Sequence, residues 1–200
     1  MPRVPWVNWA LLAVTCFVSL WILHGPDDAL QERSSALMSL MLARDGSGVG
    51  LLSHLFLHAD WLHLAGNMVF LFCFGNAVNA RLGHVAYVLL YVGSGLAAGA
   101  AWLALGHGDF LLGASGAIMG VVGAFAILYP SNRISVFWFV FIRFGTVAIP
   151  AWVAIVIYAA LDLVGVVVGG GDVAYVAHLG GLAVGGLVAL GLIATRLLKP

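Results

Sequence analysis

Serine, histidine or asparagine stands within or beside long apolar runs at three places in a chain of which only 8% is charged. The first place is His54-Leu55-Phe56-Leu57-His58, followed by His63 and Asn67. His63 and Asn67 are four apart, so a helix puts them on one face. The second is Gly113-Ala114-Ser115-Gly116, with Met119 and Gly120 just beyond. Gly116 and Gly120 have the GxxxG spacing that lets another backbone come close. The third is Ala177-His178-Leu179-Gly180-Gly181, where Gly181 and Gly185 repeat that spacing. A hydroxyl, an imidazole and a His/Asn pair of donors are the inventory for acyl transfer: nucleophile, general base, and groups that hold an oxyanion. Each has a plainer reading. A serine near a helix start usually caps it, and His and Asn in membrane helices often just hydrogen-bond their neighbours. His54, His58 and His63 could also ligate zinc, although there is no HExxH and the nearest carboxylate is Asp60.

The elements that must position these residues are membrane helices. Hydrophobic residues make up 63% of the 200 and charged ones 8%, with a mean hydropathy of +1.09. A soluble domain carries about 25% charged residues, and a membrane crossing needs about 20 apolar residues in a row. Six such runs fall at 5–24, 61–80, 84–105, 114–130, 146–168 and 173–195. Between them stand breakers: Gly25-Pro26-Asp27-Asp28, Arg81-Leu82-Gly83, Gly106-His107-Gly108-Asp109, Tyr129-Pro130 and Gly169-Gly170-Gly171-Asp172. The run from Pro5 to His24 is too long for a signal-peptide core and reads as a retained helix. Cys16 and Cys73 sit within apolar runs and read as small apolar residues rather than as a disulfide. No basic stripe points to nucleic acid.

With the N-terminus in the cytoplasm, the inner segments hold Arg3, Arg81, Arg133, Arg143, Arg196 and Lys199, and the outer ones only Arg33 and Arg44. Six cations against two satisfies the positive-inside rule and predicts both termini on the cytoplasmic side. Every acid except Asp162 then falls outside. Residues 25–60 form a first outer loop, in which Leu30, Leu37 and Met41 at helical spacing predict a short amphipathic helix at the interface. Residues 134–145, aromatic-rich with Arg143, predict an interfacial or re-entrant piece on the inner side, an aromatic belt being the simplest account. In this topology the second, fourth and sixth spans bring His63, Asn67, Ser115 and His178 toward the same, outer, side.

At these residues the chain resembles the rhomboid family of intramembrane serine proteases. His58-Ala59-Asp60-Trp61-Leu62-His63-Leu64-Ala65-Gly66-Asn67 is similar to the family's second-helix signature. Gly113-Ala114-Ser115-Gly116 is similar to its nucleophile motif, and Ala177-His178-Leu179-Gly180-Gly181 to its histidine motif. Tyr129-Pro130 followed by Ile149-Pro150-Ala151-Trp152 also resembles bacterial members. The likeness covers about 51–186 within a single membrane domain, 1–200. It implies an all-α bundle of six transmembrane helices and a Ser–His dyad, with Ser115 as nucleophile and His178 as base. His63, Asn67 and the Ser115 backbone N–H would stabilise the oxyanion. It further implies that Gly113 shapes the backbone beside that hole, Gly116 admits the neighbouring helix, and His58 supports the loop above. Substrates would be transmembrane proteins in the bilayer, cut near their outer end, with no metal or organic cofactor. Two positions depart from the family pattern. Val49-Gly50 stand where members often carry Trp-Arg, and Met119 stands where an aromatic commonly stacks on the catalytic histidine. Both bear on rate and substrate preference rather than on the reaction class.

Other classes remain on the table. A rhomboid-like pseudoprotease would bind membrane helices without cutting them, and a metal or proton transporter could use the histidines. The second usually needs several intramembrane carboxylates, and Asp162 is the one acid within a span. Asp162 is expected to hydrogen-bond loop or helix-end amides; whether it stands beside His178 is not readable from spacing. The lack of a sizeable soluble region points to a prokaryotic plasma membrane.

Overall fold

The computed structural model describes residues 3–25, 29–45, 48–140, 143–169 and 173–198. The expected breaks at Pro26-Asp27-Asp28 and Gly170-Gly171-Asp172, and the inner cation Lys199, lie outside the described residues.

The chain forms nine α-helices among the described residues, in the order α1 (Trp6–His24), α2 (Leu30–Leu40), α3 (Gly50–Ser53), α4 (Trp61–Phe70), α5 (Asn76–Leu82), α6 (His84–Leu105), α7 (Ser115–Leu128), α8 (Ala151–Val168) and α9 (Tyr175–Ala194). α4 and α5 are one apolar rod, Trp61–Leu82, interrupted by a wide π-type turn at Leu71–Gly75. Five helices are long and apolar enough to cross a membrane: α1, α4–α5, α6, α8 and α9. The protein is an all-α membrane bundle, and the sixth apolar helix, α7, is shorter. Its 14 residues span about 21 Å at the helical rise, against a hydrocarbon core of about 30 Å. α7 by itself is shorter than that core.

Helix ends follow the breakers. Gly25 closes α1 through its N–H to the Trp21 carbonyl. Gly83, at φ +82, makes the turn between α5 and α6, a conformation that glycine adopts without penalty. Pro150 opens α8 and Gly169, at φ +68, ends it. Near the end of the bundle where α1 begins, Asn8 ties α1 to the π-type turn, its Nδ2 donating to the Leu71 carbonyl at 3.0 Å and to Asn76 Oδ1 at 2.9 Å. Tyr87 of α6 donates to the Asn8 side-chain oxygen.

α7 is the axis of the bundle. Every residue from Gly116 to Phe125 is buried, and so is Leu128. Its glycines face α9 and α6. A Cβ at Gly181 of α9 would strike the Gly116 carbonyl, and one at Gly185 the Gly120 carbonyl. A Cβ at Gly123 would strike the Leu182 carbonyl in return. The two GxxxG steps thus lie against each other, backbone to backbone.

Two regions differ from the expectation. In the first, two strands form instead, β3 (Arg133–Val140) antiparallel to β4 (Arg143–Pro150), in register from Arg133↔Pro150 to Val140↔Arg143. The fifth helix accordingly starts at Ala151, not at 146. Valine, isoleucine, phenylalanine and tryptophan favour extended backbone, and Pro150 fixes the helix start. In the outer loop α2 forms as expected, but it stops before Met41, which caps it. The loop then continues as strand β1 (Leu42–Ala43), which pairs with β2 (Phe110–Leu111) from the α6–α7 connection.

Candidate active site

Ser115 is the first residue of α7, and neither it nor Ala114 makes a side-chain cap. Its hydroxyl is not consumed by the role that serine near a helix start usually plays. The segment before it is held from both sides. Gly113 donates its N–H to the His54 carbonyl at 2.9 Å, and its φ of +123 is a conformation that side chains rarely adopt. A Cβ at Gly113 would lie 2.9 Å from the His63 ring and 3.8 Å from Ser115 Oγ. Gly113 is therefore where His63 and Ser115 converge, and only glycine leaves the room.

The site is recessed. A Cβ at Gly116 would strike Ala98 of α6, and Ala98 lies seven residues before the end of that helix at Leu105. Seven residues of helix are about 10 Å. The start of α7 thus sits about that far below the end of its neighbour. Above it, β1 and β2 bind the first loop to the α6–α7 connection. Arg44 closes the C-terminal end of α6, donating to the carbonyls of Trp102, Leu103, Gly106 and Gly108, with its guanidinium 4.5 Å over the Trp102 ring.

A cleft of about 890 Å³ opens between α4, α8 and this loop, with His63, Asn67, Ser115, Met119, Tyr158 and His178 on its walls. Ser115 is half-buried and His178 buried. Among the described residues no hydrogen bond joins Ser115 to His178. Such contacts are often long in a site without substrate and tighten when it binds.

His63 and Asn67 stand on the α4 side of the cleft, with His58 buried behind them. Asp60 caps α4 by accepting the His63 backbone N–H at 2.8 Å, which sets where the helix starts and hence where His63 and Asn67 point. Asn67 Nδ2 donates to His58 Nε2 at 2.8 Å. That nitrogen being the acceptor, Nδ1 carries the proton and donates to Ser19 Oγ at 2.9 Å. Ser19 in turn donates to the Phe56 carbonyl at 3.0 Å. His58 is fully buried. Burial first, and His63 second, push its pKa down to about 3 against a smaller opposite pull from Asp60, so the neutral tautomer that this relay needs is the one present at neutral pH. His58 does more than brace the loop: it holds the Asn67 amide. Ser19, a polar residue in the apolar α1, was not singled out by the sequence; its signal was a lone hydroxyl in a membrane helix.

The three histidines that could have ligated zinc turn to different partners. His54 bonds the Gly50 carbonyl at 2.7 Å through Nδ1, His58 is committed as above, and His63 meets His58 edge-on, ring centres 4.9 Å apart. Among the described residues no three His, Cys, Asp or Glu side chains gather as a metal site.

Asp162 corrects the expectation for it. Its Oδ1 accepts not from loop amides but from His178 Nδ1, at 3.2 Å. Asp162 lies six residues before the end of α8 at Val168, and His178 three residues after the start of α9 at Tyr175. Adjacent helices joined by a short connection bring the two to similar depth, a proximity that linear spacing does not show.

The model of the rhomboid domain matches residues 45–195. The chain belongs to the rhomboid family. It is 33% identical over 145 residues to Rhomboid protein 1, mitochondrial, of Saccharomyces cerevisiae, covering 70% of this chain and 40% of that one. It is 39% identical over 67 residues to Rhomboid-like protein 11, chloroplastic, of Arabidopsis thaliana, covering 33% of this chain and 24% of that one. It is 29% identical over 134 residues to Presenilin-associated rhomboid-like protein, mitochondrial, of Homo sapiens, covering 65% of this chain and 34% of that one. The chain thus spans 24–40% of the length of these relatives. Family and helices together establish an integral, multi-pass membrane protein, and rhomboid membership supports a protease-like function within the membrane. Relatives that are mitochondrial or chloroplastic by name lend no support to a prokaryotic plasma membrane.

Proposed function

We propose that this rhomboid chain is an intramembrane serine endopeptidase that cuts transmembrane proteins near the outer membrane face. The observation that carries the reading is the recessed cleft. An uncapped serine at the start of a short helix and a buried histidine line it together, on helices whose glycines touch.

In this reading Ser115 Oγ attacks the scissile carbonyl carbon while His178 takes the hydroxyl proton on Nε2, its other nitrogen being engaged. The tetrahedral oxyanion is held by the Ser115 backbone N–H, the His63 ring and the second Asn67 amide hydrogen, the first being spent on His58. His178 then returns the proton to the departing amine as the C–N bond breaks. Water entering from the outer side hydrolyses the acyl-enzyme by the same steps in reverse order. A positioned base contributes about 10²–10⁴-fold and one oxyanion donor about 10²–10³-fold. The start of α7 adds its partial positive charge beside the developing anion. The cation asymmetry supports an orientation in which both termini are cytoplasmic and the cleft opens outward.

The test is cleavage of a model transmembrane substrate in proteoliposomes by the wild type and by Ser115→Ala, with labelling by a fluorophosphonate as a second readout. Cleavage and labelling by the wild type alone are expected. Equal cleavage by both would remove Ser115 as nucleophile. A wild type that binds substrate but neither cleaves nor labels would make the chain a pseudoprotease.

A further inference from the structure

The one acid within the membrane helices is a buried residue with half of its hydrogen-bonding capacity unused. Asp162 is 4% exposed. Oδ1 accepts from His178 Nδ1, and Oδ2 is buried with no partner among the described residues. An acid placed among hydrocarbon side chains is costly unless something requires it, and a buried polar atom left unsatisfied calls for a cause. Packing does not supply one. α8 is otherwise the most exposed of the long helices, with only Ala151, Ile155 and Asp162 buried.

The geometry at His178 supplies the cause. A carboxylate can only accept, so the proton on His178 sits at Nδ1, and the Nε2 lone pair is left as the sole basic position of the ring. His178 lies between two clefts. One, of about 460 Å³, has Asp162 on its wall; the other has Ser115. Met119, one turn beyond Ser115, lines the same cleft as His178, and its flexible thioether would orient a neighbouring ring weakly. The remaining titratable groups around His178 are His63 of α4, Tyr158 of α8 and Tyr175 of α9, and no hydrogen bond joins any of them to its Nδ1.

We infer that Asp162 is a positioning residue for His178: it fixes the tautomer and the ring orientation that direct Nε2 toward Ser115, and it stabilises the imidazolium formed when the serine gives up its proton. The role rests on the Ser115–His178 reading above. In this role Asp162 does not touch the substrate, and the Nδ1 proton stays on the imidazole while the Nε2 proton is taken up and returned.

The experiment compares Asp162→Asn, Asp162→Glu, Ser115→Ala and the wild type in proteoliposomes, measuring kcat and KM on one transmembrane substrate, the rate of fluorophosphonate labelling of Ser115, and the melting temperature in detergent. Asp162→Asn keeps the shape and removes the charge. It should lower kcat and the labelling rate together by about 10- to 100-fold, the size of a lost charge-assisted hydrogen bond, with KM and melting temperature held. Asp162→Glu should recover part of the rate. Unchanged kcat in Asp162→Asn, with Ser115→Ala inactive, overturns the positioning role and leaves the protease reading intact. A rate loss that follows a fall in melting temperature, with no recovery in Asp162→Glu, makes Asp162 structural and also overturns it. Cleavage by Ser115→Ala at the wild-type rate overturns the protease reading itself.

Discussion

α7 and α8 carry opposite faces of the site and are packed in opposite ways. α7 buries every residue from Gly116 to Phe125 against its neighbours, with glycine carbonyls standing where Cβ atoms of α9 would otherwise be. α8 is longer and more apolar, yet buries three residues and leaves Leu161, Val164 and Val167 exposed. Each helix is packed for what it must supply. In the proposed reading the nucleophile on α7 has to keep its position relative to its base to within about 0.5 Å, and backbone-to-backbone contact, which no side-chain rotation can relax, gives that rigidity. α8 forms a wall of the cleft and has only to bring one carboxylate to His178. Apolar side chains facing lipid contribute little to holding it, because hydrocarbon solvates them as well as protein does.

The largest effect that would test this contrast is at the α7–α9 contact. Gly181→Val places a branched side chain into the Gly116 carbonyl. Overpacking a core costs about 1–3 kcal/mol, and here backbone rather than a flexible side chain must give way. A loss of at least that size in detergent unfolding, together with loss of activity, is expected. A Gly181→Val protein as stable as the wild type would mean that α7 and α9 are not in backbone contact.

Gly113→Ala comes next and separates site from scaffold. The new methyl would press on His63 at 2.9 Å in a backbone conformation suited to glycine. Cleavage should fall by about 10²-fold, the value of one oxyanion donor, with a smaller loss of stability. Full activity in Gly113→Ala would show that His63 is free to move without consequence.

Acid should act through His58. Its folded pKa, near 3, lies below the ordinary value of 6.5, so the unfolded chain binds a proton that the folded chain refuses. The contribution is present above pH 6.5 and is lost as pH falls toward 3, with a slope approaching about 1.4 kcal/mol per pH unit. Unfolding measured from pH 7 to pH 4 should show this slope in the wild type and a flatter one in His58→Gln. Equal slopes would mean that the Ser19–His58–Asn67 relay is not what acid breaks. The smallest effect belongs to the lipid face of α8: Val167→Ala, at a position 79% exposed, should shift stability by no more than about 0.5 kcal/mol. A larger loss would show that α8 is packed more firmly than its burial indicates.

Some features of the fold have local causes and others distant ones. That 146–150 extends β4 instead of starting a helix was hidden because an apolar, β-branched run suits either a span or a strand. Pairing with Arg133–Val140 decided it. The role of His58 was only half legible. Its spacing to His63 and Asn67 is local, but Ser19, 39 residues earlier, had to be brought to its Nδ1 by packing of α1 before the tautomer was determined.

By itself the sequence determined the membrane class, the approximate helices and their breakers, and the matched glycine steps on α7 and α9. Hydrophobic run length, glycine's missing Cβ and proline's missing N–H act on the chain where they stand. Tertiary structure alone decided which polar groups meet: Asn67 with His58 and Ser19, Arg44 with the end of α6, and Asp162 with His178. A buried polar atom takes its partner from whatever helix packing places within about 3 Å, and that neighbour is set by the whole bundle rather than by residues nearby in the chain.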